Sequence, residues 1–161
     1  MQIKTCSFFG HRNIFNLDIV RKDLLKIVEE LIINGFNNFM IGTHGDFDSL
    51  ALSICRELRK KYDIKISIVF TSVSKIIKNN NLEYSNIEFY EDCETLFFDI
   101  EEIYFKNRIT YSNYKMIDKS DTIVCYVNIN SHSSGAKKAM NYAIKNNKEI
   151  INIFKQTSQF F

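Results

Sequence analysis

The sequence predicts an α/β fold, a Rossmann-like three-layer α/β/α sandwich with a mostly parallel sheet. Three observations predict it. Strand-like apolar runs alternate with helix-period segments along the chain. Several of those runs are continuously apolar, as in strands buried on both faces. Three strands end in polar turns that lead straight into helices, the units whose turns hold ligands in this class of fold.

Ile3 to Phe9 mixes Ile, Thr, Cys and Phe without clean alternation, which predicts a buried first strand. After the Gly10 turn, Leu17, Val20, Leu24, Ile27, Val28 and Leu31 recur at steps of three and four and mark one face of a long helix. Asn16 is placed to cap it, Phe15 and Val20 to staple its start, and Gly35 to end it. Asn38 to Ile41 reads as a short second strand, followed by Gly42-Thr43-His44-Gly45-Asp46-Phe47-Asp48 and a helix buried through Leu50, Ile54, Cys55 and Leu58. Ile64 to Phe70 is a third strand. Beyond it Ile87 to Tyr90 suggests a short strand, Thr95 to Phe105 a short helix, and Asn107 to Lys119 another helix. Thr122 to Val127 is a buried strand that runs into the polar loop Asn128 to Gly135. Ala136, Ala139, Met140 and Ala143 then face inward from the last helix, and Glu149 to Phe154 closes the sheet.

A length of 161 residues suits a single domain, 1–161, with one substantial core. Mean hydropathy of −0.17, with a quarter of the residues charged, excludes a disordered or membrane class. No apolar run approaches the roughly 20 residues of a membrane span, and Met1-Gln2-Ile3-Lys4 leads into a strand, so a cytoplasmic protein is expected. Net charge is +2, from 21 basic and 19 acidic residues, which does not favour nucleic acid as the partner. Cys6, Cys55, Cys93 and Cys125 form no C-x-x-C pair and read as reduced thiols. Phe97-Phe98, Tyr104-Phe105 and Phe160-Phe161 exceed what one short helix and a tail bury, so a homo-oligomer is expected.

Gly10, His11 and Arg12 form the first polar turn, which is either a phosphate-binding turn or a tight turn with a surface arginine. His44, between glycines, suits phosphate donation or acid/base work. Asp46 and Asp48 suit a ribose hydroxyl or a metal, and Asp48 alternatively an N-cap. His132, Ser133 and Ser134 stand in a loop rich in hydroxyl and N–H donors. Tyr111 and Tyr114, with Lys115 and Arg108, suit stacking on a base or a half-buried surface. His and Cys spacing gives no metal site, and no cofactor is expected.

The order Gly10-His11-Arg12, Gly42-x-x-Gly45-x-Phe47-Asp48, Met116-Ile117-Asp118-x-Ser120-Asp121 and Gly135-Ala136 resembles the SLOG superfamily, and within it a branch of small single-domain bacterial proteins. That superfamily has a Rossmann-like fold and includes DNA-processing protein A, the Lonely Guy phosphoribohydrolases and sensor domains for nucleotide-derived signals. The resemblance implies a nucleotide-derived small molecule as ligand. The ligand-side residues would be Gly10, His11, Arg12, Gly42, Thr43, His44, Gly45, Asp48, Asn113, Ser133, Ser134 and Gly135. The catalytic members carry a Gly-Thr pair and then a glutamate at the last turn. Here Ala136 follows Gly135 and an alanine aligns with the glutamate, so binding without turnover is expected. The branch also tends to place an arginine before the asparagine matched by Asn113, where this chain has Ser112. The alternatives are a nucleotide hydrolase, with Asp46, Asp48, His44 or Asp118 as the candidate groups, and single-stranded DNA binding.

Overall fold

The computed structural model describes residues 2–71, 89–98 and 107–155. Within them the order is β1 (Thr5–Gly10), α1 (Leu17–Ile33), β2 (Asn38–Ile41), α2 (Asp46–Arg59), β3 (Lys65–Phe70), β4 (Glu94–Phe97), α3 (Arg108–Asp118), β5 (Thr122–Tyr126), α4 (Gly135–Lys145) and β6 (Glu149–Asn152). The six strands form one sheet in the order β4-β3-β2-β1-β5-β6, and every pairing is parallel. The α/β, Rossmann-like architecture is therefore the observed one, with four helices among the described residues.

Strand alternation divides the core into two layers. Cys6 and Phe8 of β1, Phe39 and Ile41 of β2, Ile66 and Ile68 of β3, and Val124 and Tyr126 of β5 pack with α1 and α2. Their neighbours Phe9, Met40, Val69, Ile123 and Cys125 pack on the other face with Met116, Ile117, Ala139, Met140 and Ala143 of α3 and α4. Burial on both faces is why these strands read as continuous apolar runs. Burying a leucine- or phenylalanine-sized side chain contributes about 1.5–3 kcal/mol, and Phe8, Phe39, Phe47, Leu24 and Ile54 are all at most 1% exposed.

Helix α1 ends as its sequence suggests. Phe36 N donates to Leu31 O and Gly35 N to Ile32 O, both at 3.0 Å, with Gly35 at φ 94°, which satisfies the last carbonyls. Its start differs from expectation. Asn16 makes no side-chain cap and sits in the left-handed region, while Phe15 is 74% exposed and does not staple the buried Val20. The larger correction concerns the fourth strand. Glu94–Phe97 is β4, paired with β3 through Ser67 to Phe70, where a helix was expected from Thr95. A four-residue edge strand is too short for its period to be read, and its register comes from β3, not from its own pattern. Phe89 and Tyr90 have helix and turn backbone in place of the expected strand. Asp92 holds this segment to α2 through ion pairs with Arg56 (2.7 Å) and Arg59. Tyr104, Phe105, Phe160 and Phe161 lie outside the described residues. Among those described, no helix is long and apolar enough to cross a membrane.

Candidate functional site

From β1 the chain steps through β2 and β3 to β4 on one side, then returns to place β5 and β6 on the other. The order therefore reverses between β1 and β5, and in open α/β sheets the crevice beyond the carboxyl ends at such a reversal takes the ligand. A cavity of about 340 Å³ lies there. Gly10, His11 and Arg12 line it from the turn after β1, Gly42, His44 and Asp48 from the turn after β2, and Ser134, Gly135 and Ala136 from the start of α4. Phe8, Phe9, Val69 and Met116 supply an apolar floor.

The first two turns are locked to each other. Asp46 N donates to Arg12 O at 2.8 Å, and Ile14 N donates to the Asp46 carboxylate at 3.2 Å. Gly45 has φ 93°, and a Cβ there would stand 2.7 Å from Arg12 Cα, so only glycine fits. Gly10 is required for another reason. A Cβ on it would lie 2.4 Å from Cγ of Phe47, which stacks on Tyr126 at 5.9 Å and thereby packs the start of α2 against the strand end. At Gly42 a Cβ would come within 2.8 Å of Asp48 Oδ2.

Asp48 stands in the first turn of α2 and takes no part as its N-cap, a position held by Gly45. Instead its Oδ2 accepts the His44 N–H at 2.9 Å. Loss of solvation pushes its carboxyl up to about 7, against the opposing pull of that hydrogen bond. This makes Asp48 a group that exchanges a proton near neutrality, in contact with the cavity.

His11 is held differently. Its Nε2 accepts the Asn128 N–H at 2.8 Å, its main-chain N–H donates to Tyr126 O at 3.1 Å, and its ring meets Tyr126 and Phe154 edge-on. An accepting Nε2 requires the neutral ring, and burial lowers its pKa in the same sense. His11 thus ties the β1 turn to the end of β5 and shapes the crevice.

Helix α4 begins with Ser134 as N-cap, its hydroxyl accepting from Lys137 N at 3.1 Å. The first turn of α4 has no acidic residue, and nothing stands within 4 Å of a Cβ built on Gly135. Its N–H groups and positive dipole end meet the cavity without a built-in counter-charge.

Nine of the expected ligand residues gather here: Gly10, His11, Arg12, Gly42, His44, Asp48, Asn113, Ser134 and Gly135. Thr43, Gly45 and Ser133 lie outside the lining, Gly45 serving the turn itself. Asp46 is occupied by Ile14 N, as above. Asp118 accepts from Tyr142 OH at 2.8 Å at the far end of α3, and Asp121 accepts from Thr5 N at the opposite edge of the sheet. His132 is exposed outside the lining. Tyr114 stacks on Tyr142 at 4.0 Å and Lys115 lies over Tyr111, so this cluster is absent from the cavity wall too. Helix α3 faces the cavity through Ile109, Ser112, Asn113 and Met116, an i, i+3, i+4, i+7 face that the more conspicuous tyrosines obscured. Thr71, just past β3, was also not anticipated. Burial pushes the thiols of Cys6, Cys55 and Cys125 upward, away from nucleophile chemistry. Among the described residues no three His, Cys, Asp or Glu side chains gather to hold a metal ion.

The fold is similar to that in the X-ray structure of TM1055, a structural-genomics target. The superposition covers 92% of this chain and 72% of that one, with a TM-score of 0.56 and 11% identity. At that identity the likeness is one of fold. No protein-family model matches the sequence, and no curated protein matches it significantly.

Proposed function

We propose that this protein binds a nucleotide-derived small molecule in the crevice between the carboxyl ends of β1 and β5, as a SLOG-like sensor, carrier or sequestering protein. The observation that carries this reading is the convergence of three strand-to-helix turns on one cavity whose α4 end presents unopposed N–H groups. The phosphate sits at Ser134, Gly135 and Ala136, and Arg12 neutralises it from the facing turn. Phe8, Phe9, Val69 and Met116 give the nucleoside its apolar contact.

Calorimetric titration of wild type and Arg12→Ala with a panel of nucleotides, followed by mass spectrometry of the recovered ligand, tests the reading. Saturable binding of an intact compound, weakened in the variant, is the expected result; binding of none of them defeats it. Turnover is the second reading, favoured by Asp48, whose carboxyl near 7 suits acid/base work in a partly dry site. A product released by wild type and not by Asp48→Asn would establish that reading instead.

A further inference from the structure

Two helix N-termini meet the cavity, and they are electrostatically opposite. The first turn of α2 carries Asp46 and Asp48, which offset its dipole, whereas that of α4 carries Lys137 and Lys138 and no acid. Resting on the nucleotide reading above, we propose that Asp48 is the specificity-determining residue of this pocket, restricting it to ligands with a single phosphate. The phosphate occupies the α4 end, and Asp48 pairs with a hydroxyl or amino donor of the ligand's uncharged remainder.

Three observations support the assignment. Oδ2 of Asp48 is taken by His44 N, while Oδ1 receives no hydrogen bond from the described residues, so one acceptor remains for a ligand. The carboxyl is also held in place: Oδ2 accepts the His44 N–H at 2.9 Å and occupies the space beside Gly42 that a Cβ would otherwise take. Finally, Arg12 is the only cationic side chain among the described lining residues. A second phosphate would therefore go without a cation of its own and face a carboxylate across the same cavity. At about 340 Å³ that cavity lies near the small end of the roughly 300–1,000 Å³ range of ligand sites. Repulsion between a second phosphate and this carboxylate inside one partly desolvated cavity is expected to set a preference of at least about tenfold.

The test is calorimetric titration at pH 8 with the mono- and diphosphates of adenosine, guanosine, cytidine and uridine, compared within whichever nucleoside is held. In wild type the monophosphate should bind at least about tenfold more tightly than the diphosphate. In Asp48→Asn the ratio should fall towards one through a gain for the diphosphate. Asp48→Ser serves as the second neutral variant, and the wild-type ratio is informative without either. A diphosphate that binds wild type as tightly as the monophosphate overturns the proposal, as does an unchanged ratio in a folded neutral variant. Binding of none of the eight compounds also overturns the proposal, and the nucleotide-derived reading itself falls only if the wider panel above fails too, so the two failures are distinguishable.

Discussion

Replacing Asp48 by asparagine should stabilise the protein above pH 7, although it deletes a charge from the first turn of a helix. The carboxyl is raised from 3.8 to about 7 in the folded state, chiefly by burial. Between those values the native state binds more protons than the unfolded chain, so ionisation progressively costs stability as pH rises from about 4 to 7 and the loss is complete above that. The full difference corresponds to about 4 kcal/mol. Asp48 is only partly buried as a residue and meets solvent in the cavity, so about 2 kcal/mol is the working figure and about 4 the ceiling. The dipole of α2 favours the carboxylate by about 0.3–1 kcal/mol, too little to reverse the sign. Asparagine keeps an oxygen for His44 N and stays neutral throughout.

Thermal melts of the two proteins from pH 4 to pH 8 provide the assay. The curves should converge near pH 4 and separate by roughly 4–8 °C at pH 8, with the variant higher, since 1 kcal/mol moves a domain of this size by about 2–4 °C. Titrations shared by both proteins cancel in the difference. Among them is His11, whose lowered pKa makes stability fall as pH drops below its ordinary 6.5. Parallel curves across the range, or a variant that melts lower at pH 8, would mean that ionising Asp48 costs the fold nothing.

Gly45→Ala should destabilise by about 1–3 kcal/mol, because its φ of 93° and the 2.7 Å approach of Arg12 Cα both oppose a side chain; chemical denaturation measures this. Gly135→Ala should leave stability unchanged or raise it by up to about 1 kcal/mol, with open space at its Cβ and alanine's better helix propensity, yet weaken nucleotide binding in a titration. His11→Ala should cost about 1–3 kcal/mol in denaturant unfolding by stranding the Asn128 N–H and removing the ring from Tyr126 and Phe154.

Much of the fold was legible because its decisive elements are long or doubly buried. Helix α1 announced itself through a six-residue apolar stripe and Gly35, and β1 and β5 through unbroken apolar runs. β4 was illegible because four residues at a sheet edge carry no period, and partnership with β3 decides their state. At the site, glycines and polar turns marked the right loops but not their division of labour. Gly10 reads as a ligand-side glycine and does line the cavity, while Phe47, 37 positions away, also needs its missing side chain. Asp46 and Asp48 looked alike in sequence. Two positions along the helix separate a carboxylate bonded to Ile14 N from one that lines the cavity. The contributions of Thr71, Ile109 and Ser112 depend on which face of α3 and which strand end the sheet order brings to the crevice.

The proposed site holds a nucleotide between β1 and β5 with its phosphate on the start of α4. Backbone amide NMR of the labelled protein, titrated with the nucleoside monophosphates, tests it most directly. The Ser134, Gly135 and Ala136 amides should shift furthest, with Arg12 and His44 responding alongside them. Shifts confined to other surfaces, or none with any of the four compounds, would contradict it.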